Sequence, residues 1–226
     1  NLNQVKSELA LQNGKLTFHN TGFELAGMHV DMNGNYQPLN INKAKFDYAI
    51  KADSFDIQRA YNEIPLFQEM ISSAKNAHGL ISLNYQLSGI LDKNMSPIMP
   101  SIKGKGTLTL EQIKFMGFKL LNNISKETSK ESLADGSVKK VNINTSIQNN
   151  VMTIERTKMK MALFRPRFEG QVTLDGRMNL GFRLGLPPFG IFGIPMRITG
   201  NSDTPIIKLG KYKEDETITY LDYNNE

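Results

Sequence analysis

Three histidines, His19, His29 and His78, lie far apart in the 226 residues, in none of the spacings that metal-binding motifs use. Cysteine is absent, which removes disulfides, thiol nucleophiles and thiolate ligands together. The chain has no Gly-x-Ser-x-Gly elbow, no P-loop, and no Gly-x-Gly-x-x-Gly turn between a strand and a helix. Asp31, Asp47, Asp53, Asp56 and Asp135 remain as candidates for a carboxylate pair. No motif flanks them, and carboxylates of this kind ordinarily cap helices or face water. These residue types therefore point away from an enzyme, and no cofactor or metal is expected.

The side chains that stand out are soft and apolar. There are 11 methionines, and Met28, Met32, Met159, Met161 and Met178 sit in phase with aliphatic neighbours on alternating runs. Methionine adapts to variable shapes, so such a set either fills a core or lines a groove for flexible acyl chains.

Period-two alternation, the mark of strands with one buried face, runs through most of the chain. It carries Val5, Leu9 and Leu11, then Met28, Val30 and Met32, then Phe46, Tyr48 and Ile50. It resumes at Ile81, Leu83, Tyr85 and Leu87, then after a loop over 92–100 at Leu108 and Leu110, and continues beyond Gly136 through Val141, Ile143, Met152, Ile154, Phe168 and Met178. Two segments break it. Asp53 or Ser54 can cap a helix in which Ile57, Ala60, Tyr61 and Ile64 recur at spacings of three and four, so helix is expected over 54–76 and again over 119–134. Asn149-Asn150, Arg165-Pro166 and Asp175-Gly176 read as hairpin turns, and the proline- and glycine-broken apolar stretch 184–198 reads as a loop. The expected fold is mostly β, a long curved antiparallel sheet (a β-groove) with two short helical segments. Residues 1–210 form a single domain and 211–226 a polar tail.

Composition narrows the partners. The net charge of +5 suits an anionic surface, but charges such as those in Lys158-Met159-Lys160-Met161 alternate with apolar residues and read as the wet face of a sheet. Nucleic acid is not expected, because Phe46, Tyr48, Phe168 and Phe182 share faces with aliphatics and tryptophan is absent. No run reaches the roughly 18 apolar residues of a membrane-spanning helix.

A meander with two helical segments has too little cover for its apolar face. Closure, a second copy, more chain or lipid must remove that face from water, at roughly 25 cal/mol per Å². The candidate lining residues are Ile81, Leu83, Tyr85, Leu87, Met159, Met161, Val172, Leu174, Leu180 and Phe182. Each of them serves equally well as closed core. Phe189, Ile191 and Phe192, after Pro187-Pro188, are candidates for contact with a membrane or a partner.

Three stretches carry a resemblance to a known family. They are Gly79-Leu80-Ile81-Ser82-Leu83-Asn84-Tyr85-Gln86-Leu87-Ser88-Gly89 with Leu91-Asp92, then Ile102-Lys103-Gly104-Lys105-Gly106-Thr107-Leu108-Thr109-Leu110, and then Ile194-Pro195-Met196-Arg197-Ile198-Thr199-Gly200-Asn201-Ser202-Asp203-Thr204-Pro205-Ile206-Ile207-Lys208-Leu209. In this order they resemble the C-terminal region of the AsmA family of bacterial envelope proteins. The resemblance implies a periplasmic β-groove protein similar to bridge-like lipid-transfer proteins, handling glycerophospholipid between the inner and outer membranes. It also implies an N-terminal inner-membrane anchor that lies outside these residues, with other envelope proteins as further partners. It supplies no catalytic residues.

Overall fold

Asn13-Gly14, Ala26-Gly27 and Asn149-Asn150 each place two successive residues at positive φ, between 50° and 73°. That geometry reverses the chain in two residues and matches the twist of the flanking strands, so each pair closes a tight hairpin. The computed structural model describes residues 3–64, 77–115, 137–161, 164–201 and 204–211. These described residues form twelve strands: β1 (Asn3–Gln12), β2 (Lys15–Leu25), β3 (Met28–Asn40), β4 (Lys43–Asp56), β5 (Ala77–Leu91), β6 (Lys103–Phe115), β7 (Ser137–Gln148), β8 (Val151–Lys158), β9 (Arg165–Thr173), β10 (Arg177–Gly185), β11 (Gly193–Asn201) and β12 (Pro205–Leu209). Their spatial order is their chain order, in one antiparallel sheet whose first and last strands do not meet. The mostly-β, antiparallel reading of the sequence is what the protein shows.

One helix, α1 (Ile57–Glu63), follows β4. Its cap is Asp56, whose Oδ1 accepts from the Arg59 amide at 2.8 Å, and the Arg59 guanidinium meets Glu63 one turn on at 2.9 Å. The expected start near residue 54 is thus corrected to Ile57. Ser54, at φ 51°, is instead the extra residue of a bulge between Ala52 and Phe55, which keeps both apolar side chains on one face. Residues 65–76, 119–134 and 212–226 lie outside the described residues, and with them the rest of the first helical expectation, all of the second and nearly all of the tail.

Two further expectations are corrected. The stretch 184–198 is strand at both ends, with a loop only at 186–192. Pro195 fits inside β11 because its carbonyl accepts from the Gly210 amide at 2.9 Å. Its nitrogen faces that same side, just past the last β11–β12 pair, so no ladder bond is lost. Arg165-Pro166 is the start of β9 rather than a turn, pairing with Gly185 and Leu184.

Two main apolar clusters hold the sheet. One packs α1 (Ile57, Ala60) with Met28, Phe55, Ala77, Ile81 and Ile113. The other gathers Val141, Ile143, Met161, Phe164, Leu180, Leu184, Met196 and Ile198. A smaller one joins Ile102, Ile147 and Leu174.

Glycines on the apolar face lie opposite large side chains. Gly106 is paired with Tyr85, and a methyl group added at Gly106 would sit 2.6 Å from Tyr85 Cγ and closer still to the Asn84 carbonyl. Gly106→Ala is therefore expected to cost about 1–3 kcal/mol through overpacking. A lowered urea midpoint with an unchanged slope checks it.

Candidate functional site

Directly paired residues of antiparallel strands share a face, so the register defines what each face displays. One row crosses all twelve strands: Leu9, Phe18, Gly34, Tyr48, Leu87, Gly104, Ile147, Met152, Val172, Met178, Gly200 and Pro205. The neighbouring row runs from Thr21 through Met32, Ile50, Tyr85, Gly106, Thr145, Ile154, Gly170, Leu180 and Ile198 to Ile207. Neither row contains a charged side chain. At about 4.8 Å per strand the first row is on the order of 50 Å long, more than the ~30 Å hydrocarbon thickness of a bilayer. The opposite face is polar, with cross-strand pairs such as Thr107–Asn144 at 2.8 Å and Thr109–Asn142 at 3.0 Å.

The apolar face is not sealed. Phe18, Met32, Tyr48, Ile50, Leu83, Tyr85, Leu87, Leu108, Met152, Ile154, Phe168 and Val172 are only half-buried, whereas the clusters toward its ends are closed. Of the ten lining candidates, Leu83, Tyr85, Leu87, Met159 and Val172 keep part of their surface accessible. Ile81, Met161, Leu174, Leu180 and Phe182 are buried in the clusters just described. Eight of the ten are on paired strands or directly continue one, on this face. Met159 and Met161 belong to the connection between β8 and β9 and pack onto the same side. Phe189, Ile191 and Phe192 stand apart from both rows, on the loop between β10 and β11.

Sequence reading missed the glycines. Gly34, Gly104 and Gly106 keep the floor low between larger neighbours, so that side chains two strands apart can meet over them. Tyr85 reaches across Gly106 to Thr145, their hydroxyls 2.6 Å apart, and Tyr48 reaches across Gly34 to Phe18 with ring centroids 6.2 Å apart, edge to face. The signal was present as a Gly-Lys-Gly run in β6, but only the register gives it meaning.

The Tyr85–Thr145 pair is a polar contact in an apolar centre. Burial pushes the Tyr85 phenol above its ordinary 10.0, and the Thr145 hydrogen bond offsets this only in part. Burial raises Tyr48 as well, helped by Tyr36. A folded pKa raised above the unfolded one adds stability that is complete below the unfolded value and is lost as pH rises through the folded value. Spectrophotometric titration is expected to show phenols ionising later than free tyrosine, with one late component missing in Tyr85→Phe. That variant strands the buried Thr145 hydroxyl at a cost of about 1–3 kcal/mol.

Among the described residues no group of three His, Asp or Glu side chains is placed to hold a metal ion, and no helix is long and apolar enough to cross a membrane. The protein is an open antiparallel sheet with one apolar and one polar face. No family model, curated protein or solved structure matches the chain.

Proposed function

We propose that the protein is a non-catalytic lipid-handling module that holds glycerophospholipid acyl chains along the apolar face of its sheet. The observation that carries this reading is the uncharged row through all twelve strands, half-exposed at its centre in an open sheet. Apolar surface of that extent gains roughly 25 cal/mol for each Å² taken out of water, and flexible chains adapt to a floor stepped by glycines and aromatics. The AsmA-like stretches support a place in the bacterial envelope, with transfer between the inner and outer membranes, a periplasmic location and attachment to the inner membrane through a segment outside this chain. Phospholipid is then the ligand, in the service of outer-membrane biogenesis and lipid balance. The direct test is uptake of a fluorescent, self-quenched phospholipid from donor vesicles. Dequenching that saturates with protein supports acyl-chain binding, and its absence contradicts it.

One feature favours a second reading, in which protein covers the apolar face and there is no ligand. β1 is exposed along its whole length, with Val5, Leu9 and Leu11 open to solvent and one edge unpaired among the described residues. A stable oligomer in solution that buries these residues and excludes the fluorescent lipid would favour this scaffold role.

A further inference from the structure

Charge is distributed unevenly along the chain. Residues 137–211 hold twelve Lys and Arg against four Asp and Glu, a net +8, although the whole chain carries only +5. The register concentrates part of this charge at one end of the sheet, the end that carries the 159–164 connection and the 186–192 loop. Lys158 is directly opposite Arg167, and Arg167 is directly opposite Arg183. Like charges facing each other across strands are destabilising, so this arrangement is one that an external anion would relieve. Beside these pairs is a depression of about 540 Å³ lined by Lys139, Lys140, Lys158, Lys160, Arg165 and Arg167, together with Arg183, Met159, Pro166 and Phe189. Among the described residues no acidic side chain lines it. Of the nearby carboxylates, Glu111 neutralises one rim residue, Lys140, while Glu169 pairs with Arg156 outside the rim, so the other six basic side chains keep the depression strongly positive.

The adjoining loop is built to present apolar side chains. The Leu186 amide donates to the Phe192 carbonyl at 2.8 Å, and the Gly190 amide donates to the Leu186 carbonyl at 2.7 Å. Arg183 anchors the loop from below, its Nη1 and Nη2 donating to the Gly190 and Ile191 carbonyls at 2.9 and 2.7 Å. On this fixed frame Phe189, Ile191 and Phe192 are 77%, 73% and 78% exposed. A free phosphate or a small anion would satisfy the basic rim but leave these three side chains in water. A bilayer satisfies both, since phosphates lie at its surface and hydrocarbon just beneath.

We infer that this end of the sheet docks on the surface of a bilayer containing anionic phospholipid, with the basic rim against the headgroup phosphates and Phe189, Ile191 and Phe192 among the acyl chains. The docking surface lies outside the two uncharged rows, so it stands whether or not those rows hold lipid. The test is flotation of the protein with vesicles of phosphatidylcholine alone and of phosphatidylcholine mixed with phosphatidylglycerol, at low and high salt. Binding is expected only to the mixed vesicles and is expected to weaken at high salt. Each basic residue near an anionic surface contributes about fivefold, so Lys139→Glu/Lys158→Glu/Lys160→Glu is expected to lose about a hundredfold or more. Phe189→Ser/Phe192→Ser is expected to lose at least about tenfold even at low salt. All five positions are exposed, and circular dichroism with a urea midpoint establishes that each variant is folded. Equal binding to both vesicle types, or full binding by either folded variant, overturns the inference. So does retention on duplex DNA without any flotation, which would assign the basic rim to nucleic acid.

Discussion

Aspartate at Leu87 or Val172 is expected to remove bound phospholipid almost completely while leaving the sheet folded. Both positions lie in the row that crosses all twelve strands, and both are half-buried, so in the lipid-free protein the new carboxylate keeps access to water. With acyl chains laid over it, that carboxylate is trapped under hydrocarbon. A charge at such a depth costs about 2.5 kcal/mol or more, close to a hundredfold in affinity. Binding isotherms with the fluorescent phospholipid, run beside urea unfolding of the same variants, separate lost affinity from lost fold. Unchanged affinity in a folded Val172→Asp protein would mean that acyl chains do not lie on this row.

The second large effect concerns stability. Leu184, Met196 and Ile198 are 0%, 0% and 1% exposed, in the cluster that also contains Met161 and Phe164. Truncating one of them, as in Leu184→Ala, leaves a cavity in a packed site and is expected to cost about 2–5 kcal/mol. That is a large fraction of the ~5–15 kcal/mol that separates a folded domain from its unfolded chain. Met161→Asp adds the burial of an unpaired carboxylate and is expected to unfold this region, so it does not report on a groove. Leu9→Ala, on the exposed strand β1, is expected to change stability by less than about 0.5 kcal/mol. Urea midpoints for the three variants test this gradient across the sheet.

The sheet was legible because alternation is a local property. Runs such as Phe46, Tyr48, Ile50 and Ile81, Leu83, Tyr85 carry their own period, and Asn149-Asn150 carries its own turn. Errors arose where a tertiary partner overrode a local signal. Asp53 and Ser54 looked like a helix cap because a bulge had shifted the phase of β4 by one residue, which a strict period of two cannot represent. Pro166 and Pro195 looked like strand breakers because the edges that tolerate them are visible only once β8 and β12 are in place.

The candidate site was harder to read, for a related reason. Alternation tells which side chains share a face but not which of them remain uncovered. Met161 and Val172 look alike in sequence, yet one is buried beside Phe164 and the other is half-open in the central row. The basic rim was hidden in another way. Lys158 and Lys160 read as a wet sheet face, and only cross-strand register brings them beside Arg167, Arg183 and the 186–192 loop.

Native mass spectrometry of the protein purified from a bacterial periplasm, followed by organic extraction of whatever co-purifies, tests the lipid-handling claim most directly. The expected result is a folded protein carrying phospholipid in defined stoichiometry, with the bound mass lost in Leu87→Asp and Val172→Asp. A lipid-free protein that unfolds cooperatively and acquires no phospholipid from vesicles would contradict it, and the half-exposed rows would then be a surface awaiting protein.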